Sequence, residues 1–301
     1  MKLASICYRA LKLSGVTALA QRLSSGGVVL CYHNVVADGG ADPHDALGLH
    51  MPLSTFQRQM RWLANNYDVV PLRDLVGRVS QGESLRGVAA VTFDDGYGGV
   101  FDHALPVLRD LSIPATVFIV AEAPERDERF WWDDPEVLRA YSPDQRRHWL
   151  TTLRGDSATI LESFALARLR SLQQTSTARR PAPWQTITAA AKSGGGLRLG
   201  VHSASHRSLP TLDALELRRE VLESRDIIKR RTGETAEFFA YPYGLWNERV
   251  REAVRSAGYR AAFTLERGHG TATDPWALPR MNVPAGIGYA AFQAWTAGLH
   301  P

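Results

Sequence analysis

The sequence has only two cysteines in 301 residues, Cys7 and Cys31. Two cysteines cannot build a disulfide framework, and these lack the CxxC spacing of a zinc site, so the chain suits a reducing compartment. Long apolar runs are also missing. The Leu-, Ala- and Val-rich start from Met1 to Leu23 is interrupted by Arg9 and Lys12, which leaves Leu13 to Gln21 uncharged, well short of the roughly 20 residues that span a bilayer. Neither a membrane span nor a cleavable export signal is expected, and a cytoplasmic location is the expectation that follows. No dense basic run occurs either. The net charge of +4 is spread, with Lys and Arg scattered among Asp and Glu. Arg146-Arg147, Arg179-Arg180 and Arg230-Arg231 read as solvated helix ends and loops, with phosphate contact as the alternative, and no nucleic-acid partner is expected. No internal repeat is apparent.

At 45% hydrophobic and 22% charged, the chain can bury a substantial core, and its length is compatible with one large α/β domain or two smaller ones. Within residues 1–25, Lys2, Arg9, Lys12 and Arg22 stand beside Leu3, Ile6, Leu11, Val16 and Leu19. That pattern predicts an amphipathic helix, which either packs on the protein's own core or rests on a membrane surface at its inner, cytoplasmic face. Buried strands are predicted at Val28–Tyr32, Val88–Phe93, Ala115–Val120, Leu197–Val201, Phe238–Ala240 and Ala261–Leu265, where β-branched residues recur. Helical patterns alternate with them. Ser54 to Asn65 carries Phe56, Met60 and Leu63 on one face and a Ser54/Gln57 capping box. A helix from Asp213 carries Leu217, Val221 and Ile228, basic residues Lys229 to Arg231 in its last turn, and Gly233 past its end. This alternation implies a parallel sheet, open or closed into a barrel, with functional loops at the strands' carboxyl ends. The stretch from about 133 to 193 breaks the rhythm. It is helical and polar in Pro135–Tyr141 and Thr159–Gln174, then rich in Ala, Pro and Gly, and reads as an insertion: a lid or substrate platform, or a neutral elaboration.

Two constellations carry chemistry. Thr92-Phe93-Asp94-Asp95-Gly96-Tyr97 sets two adjacent carboxylates at the end of an apolar strand. Such a pair repels itself unless a cation or a shared proton compensates; the alternative is an N-cap for a helix over Phe101–Arg109. His202-Ser203-Ala204-Ser205-His206 follows another strand. Two His four apart on a helical turn can reach one divalent ion, or they can be surface or capping histidines. With Asp95 they would form a set of two His and one carboxylate that leaves coordination positions free.

Taken together, these residues resemble the polysaccharide deacetylases, the NodB-type carbohydrate esterases. The resemblance runs from about Val28 to Pro284 and includes Tyr32-His33-Asn34, Ile113-Pro114-Ala115-Thr116 and Tyr241-Pro242-Tyr243-Gly244. It implies an irregular (β/α) barrel of about seven strands over residues 26–301, with the helical insertion at about 133–193. It also implies a divalent metal, usually zinc, held by Asp95, His202 and His206, with Asp94 as general base and the backbone N–H of Tyr243 as donor to the developing oxyanion. The implied reaction is hydrolysis of the N-acetyl group of an amino sugar in a polysaccharide, glycoconjugate or glycolipid, by attack of an acidified water on the acetamide carbonyl. For the residues alone, another amide hydrolase acting on a small substrate and a sugar-binding pseudoenzyme stay open.

The sequence departs from the family pattern in two places. The Arg that precedes the Pro-Tyr motif in many members is replaced by Phe239-Ala240-Tyr241, and Arg280, in Leu278-Pro279-Arg280-Met281-Asn282-Val283, is the candidate to orient Asp94 instead. The late Leu-x-His motif is also missing, since Leu299-His300 has the wrong spacing. His33, at the end of the Val28–Tyr32 strand, is the candidate general acid; a histidine that merely caps the strand end is the alternative. Trp131-Trp132-Asp133 reads as a sugar-stacking platform around Trp132 or as buried aromatic filler. Tyr97 sits near the site or packs the following helix.

Overall fold

Apolar strands with no polar alternation belong in a parallel sheet covered on both faces, and that is how they lie in the computed structural model, which describes residues 2–24, 26–39, 45, 47–126, 129–164, 176–266 and 274–299. The strands are β1 (Val28–Tyr32), β2 (Asn34–Val36), β3 (His50–Pro52), β4 (Asp68–Val69), β5 (Val88–Phe93), β6 (Ala115–Ile119), β7 (Leu197–Val201), β8 (Phe238–Ala240), β9 (Ala261–Phe263) and β10 (Met281–Asn282). Seven run in the order β10-β1-β5-β6-β7-β8-β9, all neighbours parallel, with β4 beside the start of β5. Leu278 closes the ring. It bridges Phe263 of β9, with Leu278 N donating to Ala262 O and Thr264 N donating to Leu278 O, each at 2.9 Å. Met281 and Asn282 then pair with Leu30 and Cys31 of β1. The α/β barrel expected from the sequence is therefore present, with helices such as Leu53–Asn66, Trp184–Lys192, Ser224–Thr232 and Glu248–Ser256 between successive strands.

Several local expectations are corrected. Ser54 makes no capping box: the helix starts at Leu53 after Pro52, and Asp38 accepts from both the N–H (3.1 Å) and the hydroxyl (2.8 Å) of Ser54. A free N–H of the first turn finds its acceptor in the preceding loop instead. The helix from Asp213 has its cap, with Asp213 and Glu216 forming a reciprocal capping box. It then widens into a π turn over Arg219–Glu223 before ending at Gly233, whose φ is 82°. The N-terminal pattern forms two helices, Lys2–Leu13 and Val16–Leu23, broken at Gly15 (φ 77°). The first packs on the helix Tyr289–Thr296, where Trp295 Nε1 donates to Tyr8 Oη at 2.9 Å. Among the described residues, no helix is long and apolar enough to cross a membrane.

Between β6 and β7 the chain forms Pro135–Arg139, Pro143–Thr151 and Ser157–Glu162, capped by Asp134, Ser142 and Asp156. The rest of the helix expected over Thr159–Gln174 lies mostly outside the described residues. The Ala-rich end of the expected insertion is a regular helix, Trp184–Lys192, which buries Ile187, Ala190 and Ala191. Small side chains let it pack against its neighbours, so this part of 133–193 belongs to the barrel's own alternation of strand and helix.

Candidate active site

β5 delivers Asp94 and Asp95 to the carboxyl end of the ring, and glycine makes the delivery possible. At Gly98 a Cβ would lie 2.5 Å from Thr177 O, and at Gly99 one would lie 2.1 Å from Val35 O. Only glycine allows the chain at 34–35 and at 177–182 to pass so near the loop after β5. The N-cap alternative for the Asp pair is not what forms: Asp95 takes a left-handed φ of 68° and Asp94 faces inward.

Asp94 is 1% exposed and is gripped by Arg280, itself 1% exposed. Arg280 donates from Nη1 to Oδ1 and from Nη2 to Oδ2, both at 2.7 Å, a two-pronged match of guanidinium to carboxylate. Thr264 O and Thr92 Oγ1 accept further N–H groups of Arg280. Cys31 donates its thiol to Asp94 Oδ2 at 3.4 Å. Burial alone would raise the Asp94 carboxyl, but Arg280 outweighs it and, with His202, holds the group well below the usual carboxylate range.

His202 and His206 converge as the spacing predicted, though not on a helical turn. Ser203 and His206 are left-handed (φ 63° and 61°), and His206 N donates to Ser203 Oγ at 2.9 Å. Glu220, on the π turn, accepts from Ala204 N and Ser205 N at 2.9 Å and from Ser205 Oγ at 2.5 Å, which replaces the bonds a helix would have made. His202 Nδ1 donates to Ala240 O at 2.8 Å, so its Nε2 lone pair points inward. The two Nε2 atoms are 3.1 Å apart, and Asp95 Oδ1 lies 3.5 Å from His202 Nε2 and 3.3 Å from His206 Nε2.

This trio fits a divalent cation on the chemistry of its donors. Burial lowers both imidazoles and, joined by the charge of Asp94, raises Asp95 well above the usual range. Asp95 Oδ1 and His206 Nδ1 are buried with no hydrogen-bond partner among the described residues. Asp95 Oδ1 and the two Nε2 atoms lie within 3.5 Å of one another; such a buried cluster of acceptors is costly unless protons or a cation stand between them, and a metal ion satisfies all three at once.

The other predicted residues border the same cavity, of about 160 Å³, which His33, Asp94, Asp95, Trp132, His202, His206 and Tyr243 all line. His33 is half-buried, and burial pushes its imidazole down to about 4. Tyr243 sits in the turn Pro242–Gly244 with φ 58°, its ring centroid 4.4 Å from that of His206 and its hydroxyl accepting from Trp131 Nε1 at 3.2 Å. Trp132 is 5% exposed. Phe130 stacks on it at 4.5 Å, His206 lies 4.5 Å away, and its Nε1 donates to Tyr97 Oη at 2.8 Å. Trp132 is packed among aromatic rings, as filler would be, and also lines the cavity, as a platform would. Tyr97 is buried near the site rather than merely against a helix.

The sequence names Tyr97, Asp133 and Asn34 singly, but it leaves out His50 and the hydrogen bonds that join the four. Tyr97 Oη donates to Asp133 Oδ2 at 2.6 Å, Asp133 Oδ1 pairs with His50 Nε2 at 3.0 Å, and His50 Nδ1 meets Asn34 Nδ2 at 3.0 Å. These come from four separate segments with no shared motif. Glu220 did leave a signal, an acid three residues from Leu217 on the helix's apolar stripe. Leu138, Tyr141, Arg146 and Trp149, all from the segment after β6, also line the cavity.

A closed parallel barrel whose strand ends bring an Arg-paired carboxylate, a second carboxylate and two imidazoles into one cavity is an enzyme's architecture. Comparison with known proteins says which enzyme class. The sequence model of the polysaccharide deacetylase family matches residues 81–262, and the chain belongs to that family, whose members are hydrolases of carbon–nitrogen bonds other than peptide bonds. It is 20% identical over 270 residues to YxkH of Bacillus subtilis (strain 168), named provisionally for the same family, covering 89% of this chain and 75% of the relative. It is 24% identical to the poly-beta-1,6-N-acetyl-D-glucosamine N-deacetylase of Escherichia coli K12, covering 85% of this chain and 36% of that enzyme. In fold it is similar to the deacetylase PplD of Streptococcus pyogenes in complex with acetate (TM-score 0.64, 14% identity, 92% of this chain and 99% of that one). It is equally similar to IcaB from Ammonifex degensii (TM-score 0.64, 20% identity, 91% and 98%).

Proposed function

We propose that this chain is a metal-dependent deacetylase that hydrolyses the N-acetyl group of an amino sugar in a polysaccharide, glycoconjugate or glycolipid. The observation that carries the reading is the division of labour between two adjacent carboxylates. Asp94 is turned to Arg280 and kept ionised, while Asp95 is turned to His202 and His206, its Oδ1 without a hydrogen-bond partner among the described residues. Asp95, His202 and His206 would hold the ion, zinc by this reading, and the bound ion would supply Lewis acidity toward the acetamide carbonyl and acidify a water.

The chain's own residues do the rest. Asp94 is the base: its depressed carboxyl is ionised at neutral pH and borders the cavity, so it can take a proton from the attacking water. Arg280 is its positioning residue, fixing both oxygens from behind. The Tyr243 N–H is the donor for charge developing on the carbonyl oxygen. A left-handed tyrosine costs about 1–3 kcal/mol, and the packing of its ring against His206 and Trp131 holds it there. His33 is the acid for the leaving nitrogen. An imidazole lowered to about 4 starts turnover neutral at pH 7, so it donates only after taking up a proton inside the cavity. Action in the cytoplasm is part of the reading, in keeping with the two unpaired cysteines, Cys7 and Cys31.

The test is acetate release from N-acetylglucosamine oligomers, set beside a panel of small linear and cyclic amides. Acetate from the oligomers supports the reading. Turnover confined to small amides assigns another amide hydrolase, and sugar binding without turnover of anything assigns a pseudoenzyme.

A further inference from the structure

The helix Val16–Leu23 is turned inside out. Thr17 is buried, with Ala20 and Gln21 half-buried on the same face, and Gln21 Nε2 donates to Asn66 O at 3.1 Å. The face turned to solvent carries Val16, Leu19 and Leu23, at 39, 56 and 68% exposure, and Leu13 at the end of the preceding helix is 87% exposed. Six large apolar side chains are exposed among the described residues, and these four fall within eleven positions. Scattered single leucines on a surface need no explanation, whereas a contiguous ridge marks a surface that meets something apolar.

Charge decides what. The first 37 residues contain Lys2, Arg9, Lys12 and Arg22 and no Asp or Glu, the first acid being Asp38. Arg9 and Lys12 are exposed next to the ridge, and the Lys12 ammonium is 5.0 Å from the Tyr289 ring centroid. A second copy of the chain would bring the same cations against them and be repelled. An anionic bilayer offers both complements, hydrocarbon for the leucines and phosphate for the cations. We infer that Leu13, Val16, Leu19 and Leu23 dock this protein on an anionic membrane surface, with Arg9 and Lys12 at the headgroups.

The placement leaves the cavity free. Leu23 precedes Val28, at the amino end of β1, whereas the site lies at the strands' carboxyl ends. The docked protein thus holds its cavity away from the lipid and open to solvent. Docking is independent of what the cavity hydrolyses.

The full chain is sedimented with vesicles of phosphatidylcholine alone and of phosphatidylcholine with a third phosphatidylglycerol. Binding to the mixed vesicles only, weakened by high salt, is expected. Leu19→Glu with Leu23→Glu should reduce that binding at least tenfold, and Lys12→Glu about fivefold. Both sites are exposed, so an unchanged melting curve shows that the variants fold. Failure of the parent chain to bind anionic vesicles, or equal binding by the double variant, overturns the inference. So does a parent that is a dimer in solution and is made monomeric by Leu19→Glu with Leu23→Glu, since the ridge would then be covered by a second copy.

Discussion

Asp94 and Arg280 lie 186 residues apart in the chain and meet through two hydrogen bonds of 2.7 Å, both side chains almost fully buried. Because the fork geometry matters as much as the charge, Arg280→Lys is not a conservative change here. It should lower turnover by about 10- to 100-fold while leaving metal content near that of the parent, as stopped acetate assays and metal analysis will report. The pH dependence has a definite sign. A weaker partner lets the Asp94 carboxyl rise from its depressed position, so the acid limb of the rate profile moves to higher pH. The same depression makes the pair a source of stability above the unfolded carboxyl range near ~3.9, lost as pH falls through the lower folded value. His33→Gln should cost about 10²- to 10⁴-fold in turnover as loss of a general acid; a variant with full turnover would mean that His33 only caps β1. At this scale the Asp pair and the two His were legible because each is a short local motif. Arg280 was legible only by analogy with a family pattern. Tyr97 and Asp133 were legible as residues near the site, but their link through His50 was not, since these residues are joined by the fold and by nothing in their spacing.

Strands are the elements that the sequence predicted best, because an uninterrupted β-branched run has few other places to go. β1, β5, β7 and β8 have the bounds expected of them, and β6 and β9 end slightly earlier, at Ile119 and Phe263. β10, of two residues, carries no pattern long enough to read. The His202 to His206 segment was expected to be helical and is instead a loop held from outside by Glu220. Removing that acceptor strands Ala204 N and Ser205 N in a buried setting, so Glu220→Ala should destabilise by about 2–3 kcal/mol and release metal more readily, as thermal melts with and without added zinc will show. The segment after β6 lines the cavity and also meets Tyr243 at Gly155. That residue has φ 67°, and a Cβ there would lie 2.9 Å from Ser208 N and 3.2 Å from the Tyr243 ring. Gly155→Val should cost about 1–3 kcal/mol in stability and, by displacing Tyr243, lower kcat more than it raises KM. A change in stability with kcat intact would make the contact purely structural.

For the molecule as a whole, closure of the ring is what assembles the site. The segment from Leu278 to Asn282 touches β9 at one end and β1 at the other, and Arg280 sits between the two contacts, facing Asp94. An alternation of strands and helices in the sequence cannot say whether a sheet closes, because the decisive bridge rests on one residue, Leu278. One arrangement carries the proposed function: a closed barrel that holds the ionised Asp94 carboxylate beside the converging side chains of Asp95, His202 and His206. The measurement that tests it most directly is acetate release from N-acetylglucosamine oligomers, with metal content determined on the same samples, for the parent chain, the chelator-treated chain and Asp94→Asn. About one divalent ion per parent chain is expected, with acetate release abolished by chelation and restored by zinc, and an Asp94→Asn protein that keeps its ion and releases no acetate. Undiminished release by the metal-stripped chain or by Asp94→Asn would contradict the proposed function.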